Sequence, residues 1–255
     1  MKVVQINGAS QNGSTGRIVS QLSDVMTCQG IENYIIASGY KERNTKDNVY
    51  VVSSNMKVKI HQIEAYIFGD AGFHSNITTR HIIQILDSIK PDVVHLHHIY
   101  GFWLNVEVLL DYLKKLGIPV VWTIHDFWAI TGHCTHFEAI GCEKWKNECE
   151  LCEQKRCYPY SLIFDRSKEL YNRKKRILQK WNQLHIVTVS EWVAHFVKMS
   201  YIRDKMITVI PNGIDLNVFY PDGENTRSAE LKNKFLILGV AMSWSSKKGL
   251  DDFIM

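Results

Sequence analysis

The constraint that most limits this chain is an alternation. From residue 2 to residue 210, short runs of β-branched and aliphatic residues take turns with stretches whose apolar side chains recur at helical spacing. The apolar runs are 2–7 (KVVQIN), 32–37 (ENYIIA), 48–52, 92–97 (DVVHLH), 120–124 (VVWTI), 185–189 and 207–210. The helical stretches are 17–28, 77–86, 104–116, 162–181 and 192–198, and the first carries Ile18, Leu22, Val25 and Met26 on one side. Consecutive strands separated by helices must be joined by crossovers, which makes the strands parallel and covers the sheet on both faces. Strands buried on both faces read as near-continuous apolar runs, as these do. The pattern predicts an α/β, doubly wound parallel sheet over residues 1–215, with a polar segment at 131–160 inserted after the fifth run.

After residue 215 the texture changes. Residues 216–232 are polar and aperiodic, with Pro221-Asp222-Gly223, and read as a linker. Residues 235–240 (FLILGV) resemble a fresh buried strand, and 247–254 (KKGLDDFI) open a helix. A strand and part of a helix bury no core, so 233–255 are expected to begin a second domain.

Composition narrows the class of function. The 255 residues are 45% hydrophobic and 22% charged with 5 prolines, which excludes fibrous and wholly disordered chains. No apolar run approaches the ~18 residues of a membrane-spanning helix, and the polar turn after the first strand is unlike a secretory leader. A cytoplasmic protein is expected. The net charge of +4 is mild, and basic and aromatic residues do not interleave, so no nucleic-acid partner is expected.

Four features carry chemistry. Gly13-Ser14-Thr15-Gly16-Arg17 closes a loop expected over 8–16, between the first strand and the first helix. It is either an anion site, where glycine backbone and a helix N-terminus meet a phosphate beside Arg17, or a plain capped turn. It lacks the G-x-G-x-x-G spacing of a dinucleotide fingerprint. His125-Asp126 follows the strand 120–124 at its carboxyl end, where open α/β sheets place ligands. A histidine there bonds either a sugar hydroxyl or phosphate, oriented by the aspartate, or simply backbone. His95 and His97 should share one face of the preceding strand and His98 the other, as lining or structural residues.

The third feature is Cys134-x7-Cys142-x6-Cys149-x2-Cys152-x4-Cys157, with His133 and His136 beside it. The Cys149-x2-Cys152 pair has metal-knuckle spacing, and Cys134 with Cys142 would complete a structural zinc site. Reduced thiols packed as small hydrophobes, or a disulfide, are the alternatives. A closed four-thiolate site would leave no position for catalysis. The fourth is the basic stretch 162–181, with Arg166, Lys168, Arg173, Lys174, Lys175, Arg176 and Lys180. It reads as a solvated face or as a peripheral membrane contact at the inner face of the membrane.

In this order the pieces resemble the retaining nucleotide-sugar glycosyltransferases of family 4. The matching pieces are the loop 12–17 (NGSTGR), the strand end 123–128 (TIHDFW) and the run 187–190 (VTVS). The joint 209–215 (VIPNGID) and the turn 247–250 (KKGL) complete the series, and the last two are the most specific. The stretch from Thr131 through Cys152 resembles a subset acting in bacterial surface-polysaccharide synthesis. The family fold is GT-B, two Rossmann-like domains facing across a cleft, of which this chain would hold the N-terminal half and the start of the second.

The resemblance implies that Gly13 to Arg17 lie near the donor diphosphate or the acceptor. It implies that His125 faces the transferred sugar with Asp126 in support, that Ser190 and Asn212 are among the donor- or acceptor-binding residues, and that Asn212 to Asp215 form the interdomain joint. Lys248 would hold the diphosphate without a metal cofactor. It further implies a UDP- or GDP-sugar donor and a glycan or lipid-linked acceptor, with no protein nucleophile. The chain departs from the family pattern in lacking an arginine near Met242-Ser243 and in ending before the Glu-x7-Glu pair. Little transferase activity is therefore expected of these 255 residues alone, and a non-catalytic ligand- or partner-binding module is the alternative.

Overall fold

The computed structural model describes residues 1–39, 46–221, 234–241, 244 and 248–254. Contacts divide the chain into two units, Met1–Asn212 and Gly213–Met255. The first unit holds seven strands: β1 (Lys2–Asn7), β2 (Glu32–Ala37), β3 (Val49–Val51), β4 (Val93–Leu96), β5 (Val120–Ile124), β6 (Leu184–Thr188) and β7 (Met206–Val209). Its helices are α1 (Gly13–Cys28), α2 (Asn55–Phe68), α3 (Asn76–Ile89), α4 (Val106–Leu116), α5 (Ser167–Leu178) and α6 (Glu191–Met199). The strands form one sheet in the order β3-β2-β1-β4-β5-β6-β7, and every pairing is parallel. This is the α/β doubly wound sheet the alternation predicts.

The core follows from the same residues. Val4 and Ile6 of β1, Val94 and Leu96 of β4, and Val120, Trp122 and Ile124 of β5 are buried. Over them pack Ile82 and Leu86 of α3 and Leu109, Leu110 and Leu113 of α4, an i, i+1, i+4 stripe facing the sheet. Asn105 starts α4 by accepting from the Val108 amide at 3.2 Å, and Gly117 ends it in the left-handed region at φ 73°.

Beyond shifts of one to three residues at other element ends, the first unit differs from expectation in three places. Residues 13–16 are not loop but the first turn of α1. Asn12 is extended and turns the chain, and Gly16 lies so close to Gln11 that an added Cβ would stand 3.0 Å from the Gln11 carbonyl carbon. The basic helix is shorter than 162–181, because the Asp165 carboxylate accepts from the Ser167 amide at 2.8 Å and starts the helix there. Gln179 is extended and Lys180 left-handed, which stops it. Helix α2 has no counterpart in the sequence reading. Val58 and Ala65 face the core, but Met56, Ile60, Ile63 and Ile67 form a second apolar stripe facing outward, so the pattern has no clear polar side.

In the second unit the described residues hold one helix, α7 (Leu250–Ile254), preceded by a turn containing Lys248. Residues 235–240, expected as a strand, are irregular and largely exposed. A strand needs a neighbour for its N–H and C=O groups, and none stands beside it among the described residues of this unit. Most of the expected linker, Met242-Ser243 and Lys247 fall outside the described residues.

Candidate functional site

The order β3-β2-β1-β4-β5-β6-β7 reverses its direction of travel between β1 and β4. At such a switch point the connections leave to opposite faces and open a crevice at the carboxyl ends of the strands. The crevice is tied together by backbone. The Gly8 amide donates to the His98 carbonyl at 3.0 Å, and the His98 amide donates to Asn7 Oδ1, also at 3.0 Å. Asn7 Nδ2 donates to the Ala9 carbonyl and reaches Thr15 Oγ1 at 3.5 Å, fixing the first turn of α1 to the end of β1. Gly13, Ser14 and Arg17 are exposed on that turn, Thr15 is half-buried and Gly16 buried. Gly13 takes φ 71° with open space where a Cβ would stand, so the helix entry presents bare backbone.

One strand further along, a small cleft of about 230 Å³ including its open mouth is lined by His97, His98, Tyr100, Thr123, His125 and Asp126 among others. His125 lies half-buried at the end of β5, with its Nε2 3.2 Å from His97 Nδ1 and the two rings stacked 20° from parallel. Burial pushes the His125 pKa down to about 4, against the pull of the Asp126 charge. At neutral pH the ring is therefore uncharged and works through hydrogen bonds. His95 is similarly lowered to about 4 by burial and by His125, and its Nε2 meets Thr123 Oγ1 at 2.8 Å. The His95 and His97 rings lie 4.0 Å apart, tilted by 39°, while His98 packs on Tyr100, the division of faces that strand alternation predicts.

Asp126 orients His125 only through its charge. Its Oδ2 accepts the Tyr100 O–H, and its Oδ1 accepts the Trp128 amide at 2.9 Å. The hydrogen-bond partner of His125 is instead His97, 2% exposed, whose own Nε2 has no partner among the described residues. Tyr100, stacked on Trp128 at 4.7 Å, and Tyr158, 6.3 Å from Tyr100, complete the wall. Sequence reading missed these tyrosines because they stand in connections. The strand-end rule, applied beyond β4 as it was beyond β5, points to Tyr100.

The remaining expected residues are placed as follows. Ser190, at the end of β6, caps α6 by accepting from the Val193 amide at 3.2 Å. Asn212 is exposed at the end of the first unit, and Lys248 is exposed in the second. Cys134, Cys142, Cys149 and Cys152 surround one small cavity walled by Phe137 and Trp145, and none is in a disulfide. As the side chains lie, no three His, Cys, Asp or Glu residues among those described are gathered around one point as a finished metal site.

The basic stretch is no uniform cationic face. Arg173 and Arg176 pair with Glu107 of α4, Arg166 with Asp70 and Glu169, and Lys168 with Glu148. Lys174 is 1% exposed, donating to the Trp128 carbonyl at 2.7 Å beneath that residue's ring. No helix among the described residues is long and apolar enough to cross a membrane.

The sequence profile described as Glycosyltransferase Family 4 matches residues 15–218, more than half of the chain. The chain belongs to glycosyltransferase family 4. The seven-stranded parallel sheet of this family 4 chain is accordingly the Rossmann-like fold of the N-terminal half of a GT-B glycosyltransferase. It is 28% identical over 166 residues to a protein of Escherichia coli (strain K12) named as a colanic acid biosynthesis glycosyl transferase, WcaC. That alignment covers 62% of this family 4 chain and 40% of the relative, so the chain spans well under two thirds of the curated relative it matches.

Proposed function

We propose that this chain supplies the acceptor-binding half of a retaining glycosyltransferase that moves a sugar from a UDP- or GDP-sugar to a glycan or lipid-linked acceptor in polysaccharide synthesis. The observation that carries the reading is the coincidence of family and geometry. A family 4 match over residues 15–218 meets an uncharged, His97-buttressed His125 in a cleft at the carboxyl end of the sheet.

Each residue has a task that its chemistry suits. With Nε2 engaged by His97, His125 has Nδ1 for a sugar hydroxyl, and an uncharged ring accepts or donates there without displacing water from an ion. Asp126, held on both oxygens, places a fixed negative charge beside that ring, which favours positive charge developing at a sugar carbon. The exposed first turn of α1 offers backbone N–H groups and Arg17 to an anion, and Lys248 in the second unit is assigned to the donor diphosphate. No side chain is asked to act as nucleophile.

The test is transfer by the intact protein from a panel of UDP- and GDP-sugars, with the anomeric configuration of the product read by NMR. Retention is expected. His125→Ala should lower turnover roughly 10²-fold, the scale of one lost hydrogen bond in a pre-organised site, while the circular dichroism spectrum is unchanged. Inversion of configuration removes the mechanism, and unchanged turnover removes His125 from the site.

A further inference from the structure

We infer that Cys134, Cys142, Cys149 and Cys152 form a closed structural site for a zinc ion that holds the segment following β5 against the sheet. Two kinds of geometric observation converge on it. First, the four thiols, 18 residues apart from first to last, line one cavity, whereas Cys28 and Cys157 do not.

Second, a backbone amide is aimed at sulfur. The Gly132 N–H donates to Cys149 Sγ at 3.2 Å. Such an N–H donor stabilises thiolate over thiol and orients the ligand, the outer-shell support that metal sites carry. The backbone that holds the thiols is itself pinned: Thr131 Oγ1 donates to the Cys134 carbonyl, Trp145 Nε1 to the Cys142 carbonyl at 2.9 Å, and the Cys152 amide to Asp165.

The buried His133, with Lys144 and Glu150, lines the same cavity, and Asp165 accepts from the Cys152 amide at 2.5 Å.

Binding replaces four S–H bonds by four Zn–S bonds and releases four protons to solvent, with no change of oxidation state. Because the thiols are not yet arranged around one point, it requires the cysteine side chains to rearrange around the ion. The full coordination leaves no open position, so the ion is a staple and takes no part in transfer.

The chain, purified in a reducing buffer without chelator, is to be measured for zinc by elemental analysis and then titrated with zinc alone in the presence of a competing chromophoric chelator. About one zinc per chain is expected, either as purified or after titration. Cobalt in place of zinc should give the absorption of a tetrahedral thiolate complex. Cys142→Ser, at a half-exposed position, should lose the ion to the chelator, whereas Cys157→Ser should keep it. A folded wild-type chain that neither carries nor takes up zinc overturns the proposal. So does a Cys134–Cys152 disulfide in the native chain, or equal zinc retention by the Cys142→Ser and wild-type proteins.

Discussion

Lowering the pH from about 7.5 to about 5 should strip roughly 6 kcal/mol from the first unit through one buried and two half-buried histidines alone. Burial lowers the folded pKa of His61 to about 3 and of His95 and His125 to about 4, from an unfolded value of 6.5. A lowered histidine pKa means that the folded state prefers the neutral ring. Between 6.5 and the folded value the unfolded chain therefore binds the extra proton, and stability falls as pH falls through that window. At pH 5 an unfolded ring is almost fully charged and a folded one almost neutral, a difference of ~2 kcal/mol each. His97 and His98 are shifted in the same direction and add to the effect.

Carboxylates do not confuse the window. Glu107 and Asp165, held low by Arg173 and Arg176 and by Ser167 respectively, lose their contribution between their unfolded values, near or below pH 4.5, and their lower folded ones, mostly beneath this window. A loss of ~6 kcal/mol is about half of an ordinary domain's stability. The assay is urea unfolding followed by tryptophan fluorescence and far-ultraviolet circular dichroism at about pH 7.5, 6 and 5. The His61→Gln variant, whose amide can keep the 2.8 Å bond to Ser75, should show ~2 kcal/mol less pH dependence over that range. Stability at pH 5 within ~1 kcal/mol of its value at pH 7.5 would refute the burial argument.

Other residues give narrower tests. Asn105→Ala removes the cap on α4 and the donors to the Phe73 carbonyl (2.7 Å) and Asn76 Oδ1 (2.8 Å), and should cost ~2–4 kcal/mol by urea midpoint at constant m-value. Gly69→Ala places a Cβ at φ 73°, 2.6 Å from the Phe164 carbonyl oxygen, and a thermal melt should show a loss of ~2 kcal/mol or more. Tyr100→Phe deletes one of the two donors that hold Asp126 and should cost ~1–2 kcal/mol. A Tyr100→Phe protein as stable as wild type would show that Asp126 is held from elsewhere.

What was readable in the sequence was whatever repeats along it. The β-branched runs 2–7, 32–37 and 120–124 coincide with β1, β2 and β5, because period and burial are local properties of a strand covered on both faces. The position of His125 and Asp126 at a strand end was equally legible, since a parallel sheet fixes which end faces the ligand. Helix α2 escaped because its outward stripe is as apolar as its buried one. Only tertiary structure decided the rest. Residues 28 apart in the chain, His97 and His125, become hydrogen-bond partners because β4 and β5 pair in register, and no local pattern records that. The same packing separates the basic residues of α5, sending Arg173 to Glu107 and Lys174 beneath Trp128, where sequence showed only a run of positive charge. Charge and hydrophobicity are written along the chain, but burial and partner are properties of the folded neighbourhood, and they determine what a histidine or a lysine does.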